Sequence, residues 1–152
     1  MADTIFSQIL QGTAPGSFIY RGARVSAFLD VQGILPGHCL VVPHDPVSSA
    51  EELEDSLARE LFSVAISIAK GCRQGIVSCE GVNIWLSDGK AAGQEVEHLH
   101  VHVVPRRTGD TFKVDYQADP WCESRRPELD KFARQIKSEL DLRECFAERS
   151  QK

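Results

Sequence analysis

Gly93-Gln94-Glu95-Val96-Glu97-His98-Leu99-His100-Val101-His102-Val103-Val104-Pro105-Arg106 is the stretch whose pattern decides the fold. Aliphatic residues alternate in it with polar ones, the period of a half-buried β-strand, and a strand over 96–104 is the expectation. Residues two apart on a strand share a face, so His98, His100 and His102 would stand in a row, about 7 Å from one to the next. Leu99, Val101 and Val103 would then point the other way, into a core. Three of the chain's five histidines lie in this one segment. A solvated polar face that happens to use histidine is the plain alternative to a functional row.

Working outward, Ser87 to Gly93 (SDGKAAG) reads as a polar turn behind a strand at 82–86. The long helix is expected over 50–73. Leu53, Leu57, Leu61, Val64, Ile68 and Cys72 recur there at steps of three and four, forming one apolar stripe. Ser48 with Glu51, or Ser49 with Glu52, suits a capping box, and Gly75 suits the stop. Upstream, HCLVVP at 38–43 reads as a strand closed by Pro43 and Pro46, preceded by strands near 24–30 and 18–21 split by Gly22. A short helix at 3–11, capped by Asp3 or Thr4, would turn Ile5, Phe6, Ile9 and Leu10 inward. A last amphipathic helix, 127–140, opens on Pro127 and carries Leu129, Phe132, Ile136 and Leu140. Strands broken by one long helix indicate an α+β fold on an antiparallel sheet. With no repeat or linker visible, residues 1–152 read as a single domain.

Composition bounds what this domain does. The chain has 152 residues, 42% hydrophobic and 26% charged, enough for a proper core. A net charge of −5 argues against broad binding to nucleic acid or to an anionic membrane, both of which need a dominant basic surface. A small anionic substrate is still compatible. Cys39, Cys72, Cys79, Cys122 and Cys145 are odd in number and widely spaced, with no Cys-x-x-Cys pair. With no signal-peptide pattern and no apolar run of spanning length, a reduced, cytoplasmic protein is the expectation.

Two chemistries suit a row of imidazoles. His-x-His on a strand can supply two zinc ligands, though a third ligand is not evident nearby. Alternatively, a neutral imidazole with pKa near ~6.5 is a nucleophile at cellular pH, and flanking ring N–H groups can hold phosphate oxygens. The Gly-rich turn at 89–93 would add backbone N–H groups beside the same face.

The segment His98-Leu99-His100-Val101-His102-Val103-Val104 resembles the signature of the histidine triad (HIT) family, in which histidines alternate with hydrophobic residues. The resemblance runs from residue 3 to about residue 112, through DTIFSQI, AFLD, PGHCLVVP and AGQEVEHLHVHVVPR. It implies a HIT-like five-stranded antiparallel sheet with one long central helix and a C-terminal helix. Residues 113–152 would form an extension to the motif-bearing core.

The resemblance also implies roles. His100 would be the nucleophile that takes a nucleotidyl group from an α-phosphate, His102 would hydrogen-bond the phosphate, and His98 would orient the nucleophile. Asp30 would grip the ribose hydroxyls, its plain alternative being a turn residue at a strand end. Phe28, Ile19 and Tyr20 would wall the purine, unless they are core, while Ser87, Gly93 and Gln94 would lie beside the phosphate. His38 is read as structural. Two departures from the family pattern stand out. Ser87 replaces an Asn or Gln, and Glu95 replaces a Ser or Thr, which would set a carboxylate near a phosphate. Positions that hold structural zinc in some relatives read Thr4, Ser7 and Pro46, with His44 displaced, so no metal and no cofactor is expected.

The expected protein is a homodimeric hydrolase or transferase acting on an AMP-containing purine nucleotide, with neither nucleic acid nor membrane as partner. The stretch DGKAAGQEVEHLHVHVVPRRTGD and the long tail look closer to the dinucleoside polyphosphate hydrolases of that family. The alternatives are a nucleoside phosphoramidase, a nucleotide-binding module with little catalysis, and a strand-borne metal site.

Overall fold

A computed structural model describes residues 4–75, 79–113 and 126–139. The chain divides into two compact units, Met1–Phe112 and Lys113–Lys152. In the first, helix α1 (Ile5–Gln11) is followed by strands β1 (Phe18–Arg21), β2 (Val25–Leu29) and β3 (Cys39–Pro43). Helix α2 (Asp55–Gln74) and strands β4 (Gly81–Leu86) and β5 (Val101–Arg106) complete it. The five strands form one antiparallel sheet in the order β1-β2-β3-β5-β4. In the second unit, helix α3 (Arg126–Glu139) shows Leu129, Phe132 and Ile136 exposed; Leu140 lies outside the described residues. Among those residues no helix is long and apolar enough to cross a membrane.

Strand alternation sorts the sheet into two packed faces. Val25, Ala27, Cys39, Val41, Val101 and Val103 meet Leu57, Leu61 and Ala65 of α2. Phe28, Leu40 and Val42 point oppositely and pack with Phe6 of α1. Helix α1 is capped by Thr4, whose hydroxyl accepts the Ser7 N–H, and it ends at Gly12 with φ +79°, a left-handed position that suits glycine. Ile5 of this helix is about half exposed rather than packed into the core.

Two elements differ from their sequence expectations. The helix expected over 50–73 is a 3-10 turn at Ala50–Glu52, an extended break at Leu53 and Glu54, and then α2. The turn is separate because the Glu52 carboxylate accepts both the N–H and the hydroxyl of Ser48, while Ala50 N–H reaches Asp88. The second difference bears on the site. Strand β5 begins at Val101, because the backbone bends over 96–98 and hands its hydrogen bonds elsewhere. Leu99 N–H donates to the Val47 carbonyl at 2.6 Å, and His98 N–H to the Val96 carbonyl at 2.8 Å. Ladder pairing with β3 and β4 starts only at Val101.

Candidate active site

That bend means the three histidines do not form a single strand-borne row. His102, on β5, pairs across the sheet with Leu40 of β3 and Trp85 of β4, on the face that carries Phe28. His100 precedes the strand and is 5% exposed; His98 is fully buried. The rings of His100 and His102 lie 4.6 Å apart, centroid to centroid, closer than a strand spacing would place them.

Each ring's hydrogen bonds fix its tautomer. His98 Nε2 lies 2.9 Å from the Pro43 carbonyl, which only accepts, so Nε2 carries the proton. Nδ1 is then an acceptor, and the Thr4 hydroxyl donates to it at 2.9 Å. His100 Nδ1 lies 2.8 Å from the backbone carbonyl of His98, so Nδ1 carries the proton and Nε2 bears a lone pair. No buried side-chain nitrogen or oxygen among the described residues lacks a partner. His100 Nε2 makes no hydrogen bond within the protein, so it is open to the cleft that His100 lines.

His102 is set by a residue read from sequence as structural. Ile34 N–H donates to His38 Nδ1 at 3.1 Å, so the neutral His38 ring carries its proton on Nε2. That nitrogen lies 3.0 Å from His102 Nδ1, which therefore accepts, leaving His102 Nε2–H as a free donor. Asp30 Oδ2 is 3.3 Å from His38 Nδ1 and would favour a cationic ring. Burial outweighs it: the net effect holds His38 below the ordinary imidazole range. Burial also lowers His98 and His100, and with the neighbouring His100 and His38 rings it takes His102 down to about 4. Near neutral pH these four rings are neutral.

A cleft of about 1120 Å³ opens over this array. Its lining includes Ile5, Phe6, Phe28 and Asp30 together with Trp85, Ser87, Gly93 and Glu95. Phe6 meets the His100 ring edge-on at 5.0 Å and packs against Phe28. Trp85 stacks on His102 at 4.6 Å, their planes 11° apart, and fixes that ring's plane. Asp30 accepts the Gln32 N–H through Oδ1 and lines the cleft. Ser87 is buried, and its hydroxyl, with no partner in the protein, faces the same opening.

Of the residues singled out in sequence, the structure gathers His100, His102, Phe28, Asp30, Ser87 and Gly93 around the cleft. It does not bring Ile19 and Tyr20 there: both are exposed on the edge strand β1 and lie outside the lining. The Gln94 side chain is also turned away. Its carbonyl accepts Gly89 N–H, and its amide donates to the Ser48 and Val96 carbonyls, so it staples the loop. Thr4, Phe6, His38 and Trp85 were not read as site residues. Only Phe6 carried a signal, its inward position on α1. Among the described residues no group of three or more His, Cys, Asp or Glu is gathered as metal ligands.

The chain is similar to known proteins in sequence and in fold. "Protein hit" of Bacillus subtilis is 36% identical over 109 residues, covering 71% of this chain and 74% of that protein. An asymmetrical bis(5′-nucleosyl)-tetraphosphatase of Schizosaccharomyces pombe is 36% identical over 96 residues, spanning 63% of this chain but only 52% of its own length. Among solved structures, a HIT family protein from Bacillus subtilis superposes with a TM-score of 0.81 at 29% identity, over 92% of this chain and 99% of that one. A model of the HIT domain matches residues 11–109, and with the sequence relatives and the fold in agreement, the chain belongs to the histidine triad (HIT) family.

Proposed function

We propose that this protein is a nucleotidyl hydrolase or transferase in which His100 Nε2 attacks the α-phosphorus of an AMP-like nucleotide conjugate. The observation that carries this is the hydrogen bond from His100 Nδ1 to the His98 carbonyl, which leaves a lone pair on the nitrogen open to the cleft. Family membership, and a tetraphosphatase among the relatives, support nucleotide hydrolysis as the class of reaction.

In the first step the Nε2–P bond forms, the bond from phosphorus to the leaving group breaks, and the leaving group departs with a proton taken from solvent, which the attacking water of the second step gives back. Water then attacks the nucleotidyl-histidine, releases the nucleoside monophosphate and restores the neutral ring. His102 Nε2–H and the Ser87 hydroxyl would meet phosphate oxygens as charge develops, as donors already oriented before the reaction. His98 acts through its backbone: its side chain is anchored to Thr4 and Pro43, so its carbonyl is held where it orients His100. Phe6 and Phe28 offer an apolar wall to a base, and Asp30 offers a carboxylate to ribose hydroxyls.

The decisive test is His100→Asn with an AMP conjugate labelled in the adenylyl group. The variant is expected to lose turnover while retaining AMP binding, because the lost atom makes a bond rather than a ground-state contact. Acid-sparing rapid quench of the unmodified protein is expected to trap a base-stable, acid-labile adenylyl group on His100. Turnover above a few per cent in the variant, free of contaminating enzyme, would rule the mechanism out.

A further inference from the structure

Strand alternation puts more than His102 on one side of the sheet. Trp85 of β4 pairs with His102, and Asn83 and Arg106, two and four residues along their strands, fall on the same side. All three nitrogens of the Arg106 guanidinium group donate. Nε and Nη2 reach the two oxygens of Asp110 at 2.7 Å each, Nη1 reaches Asn83 Oδ1, and Nη2 also reaches the Phe112 carbonyl. Asp110 Oδ1 accepts the Phe112 N–H at 3.2 Å, and the guanidinium carbon lies 4.7 Å from the centre of the Phe112 ring. Phe112 follows β5 and belongs to no helix or strand, so this clasp on both its backbone groups fixes where it sits.

The ring so placed stacks with Trp85 at 5.9 Å, their planes 21° apart, and Trp85 in turn stacks with His102. Those three side chains line the cleft; Arg106 and Asp110 are not part of its lining. The hydrogen bond from His38 pins His102 at Nδ1 but lets the ring tilt about that point. Stacking on Trp85 removes the tilt and so sets the direction of Nε2–H. We propose that Arg106 is a positioning residue for the reaction, acting through Phe112 and Trp85 to hold the plane of His102; this rests on the reading of His102 as donor to the transferring phosphate. Asp110 matches the charge of Arg106, so what the clasp delivers to the cleft is geometry and not a positive charge. The hydrogen bonds from Arg106 hold the Asp110 carboxyl down at about 2, which keeps the pair ionised across the pH range of an assay.

The test compares Arg106→Lys, Phe112→Leu, Phe112→Tyr and the double variant Arg106→Lys/Phe112→Leu. It reads kcat and KM on an AMP conjugate, and the His102 ring signals in NMR of labelled histidine. Arg106→Lys keeps the charge and loses the fork; Phe112→Leu leaves the clasp in place and loses the stack. A donor turned off its line costs rate rather than ground-state binding, so both are expected to lose kcat about tenfold with KM within about twofold. Phe112→Tyr restores the stack and should recover most of that loss. Because Arg106 works through Phe112, the double variant should lose no more than the worse single variant. The His102 ring protons, shielded by the stacked indole, should move downfield in Arg106→Lys and Phe112→Leu and return in Phe112→Tyr. Losses that multiply in the double variant, or a higher KM with kcat kept in Phe112→Leu, would overturn the route through Phe112. Lower stability in urea with kcat and the His102 signals unchanged would make the clasp merely structural and overturn the proposal. If the unmodified protein cleaves no AMP conjugate, the nucleophile reading falls instead. The His102 signals then decide whether Arg106 positions that ring, which stands if they move as stated and falls if they do not.

Discussion

Replacing His38 by Asn or by Gln separates the two ends of one imidazole and tests how His102 comes to be a donor. His38 is 3% exposed, with Nδ1 accepting from Ile34 N–H at 3.1 Å and Nε2 donating to His102 at 3.0 Å. Asn reproduces the Nδ1 position and leaves His102 Nδ1 without a donor. Nδ1 is then unpaired whether or not it carries the proton, at about 1–3 kcal/mol either way, so nothing holds the proton on Nε2 and part of the population loses the N–H that faces substrate. Losing one preorganised donor to a developing oxyanion lowers kcat by about 10²–10³. Because the tautomers would mix rather than switch fully, the expected loss in His38→Asn is about ten- to a hundredfold, with little change in KM. Gln places an N–H near the Nε2 position, so His38→Gln should recover most of that loss. Steady-state kinetics on an AMP conjugate gives the rates, and nitrogen NMR of labelled histidine gives the tautomer. A kcat for His38→Asn within about threefold of the unmodified protein, or a proton on His102 Nδ1 in the unmodified protein, would refute the argument.

Two further outcomes are expected. Thr4→Val removes the donor to buried His98 Nδ1 and the α1 cap together, and should cost about 2–4 kcal/mol of stability in urea unfolding; a loss below about 0.5 kcal/mol would show that neither contact matters. For pH, the nucleophile must be neutral and burial lowers His100, so kcat/KM should hold below the ordinary imidazole value near ~6.5 and fall only as pH drops through the lowered pKa. Stability takes the same sign. The unfolded chain gains protons on these rings from about 6.5 downward, while folded His102 resists until about 4. The urea midpoint should therefore be highest above that window and decline within it; a midpoint that rises on acidification from pH 7 to 5 would contradict the neutral assignment.

What the sequence made legible is what strand alternation controls. Both faces of the sheet are packed, so Val101 and Val103 against α2, and His102 opposite them, follow from period two alone. His98 escapes the rule because the backbone leaves strand geometry at 96–98, and its ring is satisfied by Thr4, 94 residues away, and Pro43, 55 away. Spacing within a motif carries no information about such partners. His38 is a similar case: it enters β3 one residue before Cys39 and meets His102 because Leu40 pairs with His102 in the sheet. That register can be known only once the strand order is. The family resemblance implies Ile19 and Tyr20 as purine-wall residues, yet β1 is an edge strand and leaves both exposed. Gln94 has the right location but a prior commitment, since its amide is spent on closing the loop.

The tautomers, taken together, bear on how this site meets negative charge. Proton direction runs from Ile34 N–H to His38 to His102 and out into the cleft, and separately from Thr4 to His98, whose own proton goes to Pro43. Each buried ring is neutral, because a cation there would lose hydration without a fully paired counter-ion. The histidines therefore serve as fixed dipoles rather than as charged clamps, and among the described residues no lysine or arginine lines the cleft to take that part. In the proposed mechanism, charge developing on the transferring phosphoryl group would be met by oriented N–H and O–H donors, chiefly His102 and Ser87. Such donors need no reorganisation during reaction, but they offer less than a cation to a multiply charged ground state. A cleft built this way discriminates by charge at the substrate's periphery.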